Sequence, residues 1–248
     1  MASFGIIGNP LNHSHSPSYF NAFFQSKNLQ HQYSAFLLDD IKELPSLIFQ
    51  HPDLVGLNVT LPYKTAVIPF LNKISDEAKQ VGAVNTIKIT WNNGIPSLKG
   101  YNTDIFGFES TLQEYNIHAK KALILGTGGA SKAVAHVFNS LHIPYIFASR
   151  KSTGSNIITY NNLSSEEFET FDLIVNTTPL GMGKLVDKMP LLPYNHLNKN
   201  TTCIDLIYNP DETLFLKTIR EKGAIGINGS RMFLKQAQNA WDIWNSHS

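Results

Sequence analysis

The sequence predicts two α/β domains, and three observations carry that prediction. Short apolar stretches of strand length alternate with helically spaced stretches along most of the 248 residues. A strand, a glycine-rich turn and a helix follow one another directly from Ala122 to Leu141. The length exceeds what one modest core needs and suits two domains of ordinary size. Composition agrees: 42% hydrophobic and 16% charged residues, against a typical charged share of about 25%, describe a folded chain with a neutral, amide-rich surface. Disorder, collagen and coiled coil are excluded.

In chain order, Phe4 to Ile7, Tyr33 to Leu38, Leu54 to Val59 and Thr86 to Thr90 have strand pattern. Ser16 to Lys27 and Asp39 to Phe49 have helical spacing between them, with Pro17 suited to a first turn. Strands separated by helices imply parallel crossovers and a mainly parallel sheet covered on both faces. Asn92-Asn93-Gly94 reads as a tight turn joining Ile87–Thr90 to Ser97–Lys99 as a hairpin. From Ala122 the pattern becomes βαβ: strand Ala122 to Leu125, turn Gly126 to Ala130, helix Ser131 to Leu141, strand Tyr145 to Ala148. Phe171 to Asn176, Cys203 to Ile207 and Ala224 to Ile227 follow as core strands, with a helix from Asp211 to Lys222. Lys151 to Ser165, rich in Ser, Thr and Asn, reads as a surface connection. Met232 to Trp244 is an amphipathic helix with no strand after it, free to pack back on the first domain.

A balance of 20 Lys and Arg against 19 Asp and Glu supplies no electrostatic footprint for nucleic acid. The single cysteine, Cys203, can form neither an intrachain disulfide nor a thiolate zinc cluster, which points to a reducing compartment. Met1 to Gly8 reads as a strand and turn and not as a targeting segment. No apolar run reaches the roughly 18 residues of a membrane span. The expectation is a cytoplasmic protein with a small-molecule partner, working as a monomer or homodimer.

Gly126-Thr127-Gly128-Gly129-Ala130-Ser131 stands after a strand and before a helix, where glycines let backbone approach a pyrophosphate held at the helix N-terminus. Ser131 replaces the third glycine of the fingerprint, and an ordinary glycine turn would look the same. About 20 residues on, Ser149-Arg150-Lys151 occupies the place where an NAD enzyme carries an acid. Arg150 there suits a 2′-phosphate and favours NADP, or is a solvated basic strand end. In the first domain, Ser14 and Ser16 suit a carboxylate at a helix start, or simply cap the helix. His13 and His15 have no ligand-bearing neighbours at metal spacing, so no metal is expected. Thr60 and Lys64 follow a strand end, where ligands of open α/β sheets sit. Lys64 otherwise reads as a surface lysine, and Asp104 as a helix N-cap.

Taken together, these stretches resemble the shikimate dehydrogenase family. The matching runs are Gly8-Asn9-Pro10 with His13 to Pro17, Asn58 to Lys64, Gly82 to Thr86, Asn102 to Asp104 with Gly107-Phe108, Gly126 to Ala130, Asn176 to Met182, Asp205 with Tyr208-Asn209-Pro210, and Gly229 with Met232 and Gln236-Ala237. They fall in order over nearly the full chain. The resemblance implies reversible NADPH-dependent reduction of 3-dehydroshikimate to shikimate, a step toward chorismate and the aromatic amino acids. It implies that Ser14, Ser16, Thr60, Lys64, Asn85, Asp104, Tyr208 and Gln236 hold the substrate, with Lys64 and Asp104 catalytic. Gly126, Thr127, Gly128, Gly129, Ala130, Ser149, Arg150, Lys151, Thr177, Leu206 and Gly229 would line NADP(H).

It further implies a substrate-binding and catalytic domain of residues 1–101 and 229–248 around a Rossmann-type NADP-binding domain of residues 102–228, with a cleft that closes on ligand and the last helix returning to the first domain. Many relatives carry Asn-Arg-Thr where this chain has Ser149-Arg150-Lys151, Met at Leu206, and a smaller, glycine-containing run at Ser230-Arg231 and Phe233. A quinate or dual-specificity dehydrogenase and a non-catalytic binding regulator are the alternatives. Retention of Lys64 and Asp104 argues against the regulator.

Overall fold

The computed structural model describes residues 1–12, 14–151, 154 and 156–246. The chain divides into two compact units, Met1–Thr103 with Gln236–Ser248, and Asp104–Lys235.

In chain order the first unit contains β1 (Ser3–Gly8), α1 (Ser16–Ser26), β2 (Gln32–Leu37), α2 (Leu44–Gln50), β3 (Leu54–Val59), α3 (Tyr63–Ala66), β4 (Lys73–Ile74), α4 (Asp76–Val81), β5 (Thr86–Asn92) and β6 (Ile95–Tyr101). Its sheet runs β2-β1-β3-β5-β6-β4. β1 is parallel to both β2 and β3, with Ile7 opposite Phe36 and Val59. β5 then reverses the direction, pairing antiparallel with β3 and with β6. Asn93 and Gly94 turn the β5–β6 hairpin with φ of 48° and 77°, the double positive φ of a type I′ turn. The helix expected from Asp39 starts later, because Asp40 is extended and accepts the Lys42 N–H while Glu43 accepts the Asp40 N–H. That capping box opens a 3-10 turn at Ile41–Glu43, and α2 follows. β4 and α4 carried too short a pattern to be expected.

The second unit contains most of α5 (Thr103–Glu114), then β7 (Ala122–Leu125), α6 (Gly129–Ser140), β8 (Tyr145–Ser149), β9 (Ile157–Thr159), α7 (Ser165–Phe168), β10 (Leu173–Asn176), β11 (Thr202–Asp205), α8 (Leu214–Glu221) and β12 (Ile225–Ile227). Its sheet runs β12-β11-β10-β7-β8-β9, with every pairing parallel. Counted from β7 this is the doubly wound order 3-2-1-4-5-6, whose direction of winding reverses between β7 and β10. The stretch expected as a surface connection carries the edge strand β9 and ends on the first residue of α7, and Ser152, Thr153 and Ser155 within it lie outside the described residues. α8 begins at Leu214 and not Asp211 because Thr213 is the cap, accepting the Leu216 N–H. The last helix, α9 (Ser230–Asn245), belongs to the second unit through Lys235 and to the first from Gln236.

Each sheet is apolar on both faces. In the first unit, Leu44, Ile48, Leu57, Val59 and Ile87 form one core with α2. Phe4, Phe20, Phe24, Tyr33, Ala237, Ala240 and Trp244 form the other with α1 and α9. Gly56 makes room for α9, since a Cβ there would lie 2.5 Å from Trp244 Nε1. That indole N–H donates to Ile87 O at 3.0 Å, so the ring packs and pays no polar penalty. In the second unit, Ile124, Val134, Phe138 and Val175 fill one face, and Leu125, Phe168, Phe215 and Ile219 the other. Among the described residues no helix is long and apolar enough to cross a membrane.

Asp205, fully buried at the end of β11, receives the Thr213 hydroxyl at 2.6 Å, the Ile207 N–H at 3.1 Å and the Asn176 amide at 3.0 Å. Burial nevertheless pushes its carboxyl from 3.8 up to about 6, against the pull of those three donors. The folded chain therefore holds this proton more tightly than the unfolded chain. The associated stability is complete below the unfolded value and is lost as pH rises through about 6. In urea unfolding, the stability of wild type relative to Asp205→Asn should fall by about 2 kcal/mol between about pH 4.5 and about pH 7.5. A difference independent of pH would show that the carboxyl is not raised.

Candidate active site

In the first unit, the residues expected to meet substrate gather at the carboxyl end of the parallel strands. Gly8 closes β1, and a Cβ there would overlap the Thr60 methyl, with Leu11 Cδ2 and Leu61 O also 2.9 Å away. Thr60 follows β3, its N–H donating to Ile7 O at 2.9 Å and its carbonyl accepting from Tyr63 at 2.9 Å. The loop after β1 turns at Leu11, whose carbonyl accepts the Ser14 N–H at 3.0 Å. α1 begins at Ser16 with His15 as cap residue and no side-chain cap bond. The cap position itself makes no side-chain bond, but Ser14 Oγ accepts the N–H of Ser16, the first residue of α1, at 3.3 Å, which is the capping contact considered for the serines. Ser16 is buried. His13 lies outside the described residues, so the expectation of no metal there is left where the sequence put it. Among the described residues no three His, Cys, Asp or Glu side chains form a metal-binding group.

Lys64 lies in α3, half-buried. Its carbonyl accepts the Val84 N–H at 2.7 Å, which fixes the backbone of α3 one residue from Asn85. Asn85 is buried and clamped: Oδ1 accepts the Thr103 N–H at 2.7 Å, and Nδ2 donates to Thr103 Oγ1 at 3.0 Å. Thr103 Oγ1 in turn lies 3.3 Å from Gln236 Oε1 on α9. Asn58 Nδ2 donates to Thr86 Oγ1 at 3.2 Å and to Asn85 O at 3.3 Å. Its Oδ1 accepts the Tyr33 hydroxyl at 2.7 Å. The structure thus joins Asn85 to Gln236, sets Lys64 beside them through the backbone, and places Thr60 against Gly8. Tyr33, Asn58, Thr86 and Thr103 belong to this network without having been singled out. Asn58, Thr86 and Thr103 stood inside quoted motifs, whereas nothing local marks Tyr33, whose contact spans 25 residues of chain.

In the second unit, Asp104 is buried in the first turn of α5. It lies inside the helix and does not precede it, a position where a carboxylate interacts favourably with the helix dipole. Tyr208 follows β11 with its ring 4.5 Å from that of Phe233. Gly126 and the Thr177–Thr178 pair close the carboxyl ends of β7 and β10, at the point where the winding reverses. Gly126 has φ of 101°, and a Cβ there would lie 3.0 Å from Thr177 Oγ1. Thr177 Oγ1 donates to Leu125 O at 2.6 Å, while Thr178 binds Asn176 Oδ1 through N–H at 3.0 Å and hydroxyl at 2.7 Å. The helix starts at Gly129, two residues earlier than expected, with Gly128 as cap residue and no side-chain cap bond.

Gly128 supplies the test of whether these residues fit a dinucleotide. Its backbone is ordinary and extended, φ −86° and ψ −170°, and among the described residues no atom beyond its immediate chain neighbours lies within 4 Å of a Cβ built on it. Neither conformation nor packing in the protein requires glycine there. The absence of a side chain leaves room for an anion to approach the first N–H groups of α6, which have no acceptor within the helix. Thr127 and Gly128 are exposed, and Gly129 and Ala130 partly so. Arg150 stands exposed just beyond β8, after Ser149 and before Lys151. Its charge reaches the Tyr160 phenol, which burial pushes up to about 12 while Arg150 opposes the rise. Leu206 N–H donates to Asn176 O at 3.0 Å, and buried Gly229 donates to Ile207 O at 2.9 Å. A Cβ on Gly229 would overlap the Leu206 carbonyl. The glycine turn, Thr177, Leu206 and Gly229 thus form one set of strand-end loops, and these residues fit a dinucleotide.

Comparison with known proteins follows the same division. The family model described as the shikimate dehydrogenase substrate binding domain matches residues 6–87. A shikimate dehydrogenase (NADP(+)) of Desulforamulus reducens is 37% identical, over 97% of this chain and 88% of that protein. Among solved structures, the shikimate 5-dehydrogenase of Thermus thermophilus in complex with NADP(H) and shikimate has a TM-score of 0.84 at 29% identity, covering 99% of this chain and 94% of its own. A quinate dehydrogenase of Corynebacterium glutamicum in complex with NAD also has a TM-score of 0.84, at 26% identity over 98% of this chain and 93% of that one. Fold alone does not separate those two substrates, but identity over almost the whole length does place the sequence: the chain belongs to the shikimate dehydrogenase family.

Proposed function

We propose that this chain catalyses the reversible, NADPH-dependent reduction of 3-dehydroshikimate to shikimate. The observation that carries this reading is the clamped amide of Asn85, which sets neutral hydrogen-bonding groups beside a lysine held by its own backbone. Shikimate is a small carboxylate with several hydroxyls, and a site of hydroxyls and amides recognises each by a paired hydrogen bond. Ser14, Ser16, Thr60, Asn85, Tyr208 and Gln236 fill that role in the proposal. The proposed NADP(H) site comprises Gly126, Thr127, Gly128, Gly129, Ala130, Ser149, Arg150, Lys151, Thr177, Leu206 and Gly229. The names of the curated relatives favour shikimate over quinate.

The nicotinamide, when bound, supplies and accepts the hydride. The chain's own residues position the reacting carbon and manage one proton. In reduction, Lys64 as ammonium donates to the carbonyl oxygen as it gains negative charge; in oxidation, its neutral amine takes the hydroxyl proton. Asp104 accepts a hydrogen bond from a substrate hydroxyl and so fixes the ring's orientation. Arg150 pairs with the 2′-phosphate of NADP as a planar, multiply donating cation. The proposed setting is the cytoplasm, consistent with one buried thiol at Cys203, and the proposed state is monomer or homodimer.

An absorbance assay of NADP reduction tests the reaction directly, with shikimate and quinate each paired with NADP and NAD. Turnover should be fastest with shikimate and NADP; a preference for quinate with NAD overturns the proposal. Lys64→Ala should lower kcat by about 10²- to 10⁴-fold, with a smaller change in shikimate KM. Turnover at the wild-type rate removes Lys64 from proton transfer. Arg150→Ala should raise KM for NADP about tenfold and leave that for NAD nearly unchanged; equal effects on both cofactors refute the 2′-phosphate contact.

A further inference from the structure

In the first unit, α1 and the later turns of α9 pack over one shared core. Between them lies a cavity of about 260 Å³ lined by Tyr19, Phe20, Phe23, Gln238, Trp241 and Asp242. The i, i+4 spacing makes Tyr19 and Phe23 neighbours on α1, and their rings are nearly parallel, 11° between planes with centroids 6.4 Å apart. Phe23 meets Trp241 of α9 edge-on, at 5.3 Å and 70°. Tyr19 meets Phe20 in the same way, at 5.2 Å and 79°. Four rings in differing planes thus border one space, and Gln238 and Asp242, one helical turn apart on α9, supply its polar side.

The rings are held from within the protein. Trp241 packs against Phe4 at 5.7 Å and Phe24 at 5.4 Å, and Phe20 stacks on Tyr33 at 4.6 Å with 9° between planes. A ligand would therefore order little that is not ordered already. Asp242 is the one charged residue of the lining. It is exposed, and among the described residues its carboxylate has neither an ion pair nor a hydrogen bond. Aromatic faces carry the negative side of the ring quadrupole and attract cations, and a carboxylate beside them adds to that attraction and repels anions. Size and chemistry narrow the cation further. The cavity is smaller than the roughly 300–1,000 Å³ that takes a drug-sized ligand, so it suits a compact head group. A bare ammonium or guanidinium brings several N–H donors that aromatic walls accept poorly, whereas methyl groups on nitrogen spread the charge over carbon surface that the rings can cover.

We propose that the pocket between α1 and α9 binds a small methylated ammonium ion, its charge against the Tyr19, Phe23 and Trp241 rings and paired with the Asp242 carboxylate. This goes beyond the proposed reaction and does not rest on it, because none of the lining residues is assigned there to substrate or to NADP(H).

Choline and 3,3-dimethylbutan-1-ol share one shape and differ in charge, since the quaternary nitrogen of the first is a quaternary carbon in the second. In an NMR titration of the full chain at constant ionic strength, the Trp241 indole N–H signal should move saturably with choline. The neutral alcohol should bind at least about fivefold more weakly. Asp242→Asn removes the charge at an exposed position, and it should weaken choline binding about two- to fivefold while leaving the alcohol unchanged. Phe23→Leu keeps an apolar wall without a ring, and it should likewise weaken choline more than the alcohol. Equal affinity for the two probes would make the pocket merely apolar and overturn the proposal. Choline binding that ignores Asp242→Asn, or an indole signal that choline does not move, overturns it as well. None of these readouts needs turnover, so failure of the proposed reaction stays distinguishable from failure of this inference.

Discussion

The contact between Thr103 and Asn85 is the constraint on which the first unit's site depends. A helix start leaves backbone N–H groups without intrahelical acceptors, and burying one costs about 1–3 kcal/mol unless it is paired. Thr103, fully buried at the start of α5, finds its acceptor in Asn85 Oδ1 at 2.7 Å. Asn85 is itself tied by backbone to both neighbouring strands, its N–H donating to Tyr101 O at 3.0 Å and its carbonyl accepting from Val59 at 2.8 Å. One residue thereby joins the end of β3, the start of β5, the end of β6 and the first turn of α5. Lys64 inherits its position from the adjacent Val84 N–H. A site built this way is rigid at its polar rim because loosening any member would orphan a buried donor elsewhere.

The second unit solves the corresponding problem with a carboxylate. Asp205 collects the Asn176 amide, the Thr213 hydroxyl and the Ile207 N–H, which ties together β10, β11 and the N-terminus of α8. Asn176 Oδ1 binds Thr178, and the Asn176 carbonyl accepts from Leu206. The loops bearing Thr177 and Leu206 are therefore set by the same buried pair. The desolvation cost shows in the raised carboxyl of Asp205, and it is tolerated where three donors converge on one group.

The βαβ unit, the β5–β6 hairpin and most strands were legible because each rests on local pattern: apolar runs, Asn-Gly at a turn, glycines between strand and helix. Legibility ended where pairing with distant chain decides the structure. β4 has two residues and exists because Lys73 and Ile74 find Lys99 and Gly100. β9 has three, sits at a sheet edge beside β8, and hides in a polar stretch whose apolar run is only Ile157-Ile158. Asp40 delays the start of the expected helix because its side chain takes the Lys42 N–H and opens a 3-10 turn there instead. At the site, Ser14, Ser16, Thr60, Lys64 and Asn85 stood in recognisable runs. Tyr33 did not, since a tyrosine on a strand announces a core ring and gives no sign of where its hydroxyl will find a partner.

The glycine turn shows how conformation separates structural need from functional need. Gly126 is required by the protein itself: its φ of 101° is costly for any side chain, and Thr177 and Thr178 would crowd a Cβ. A turn of purely structural purpose would contain a glycine of that kind. Gly128 is different, because its φ suits every residue and the space around it is open. A serine or aspartate there would cap α6 and stabilise it by about 1 kcal/mol. Choosing glycine forgoes that gain and leaves the first N–H groups of the helix accessible from outside. For a chain whose net charge is only +1, anion recognition cannot come from a general field. It has to be local, and under the proposed function an uncapped helix start with Arg150 at the neighbouring strand end is the arrangement that would meet the cofactor's phosphates.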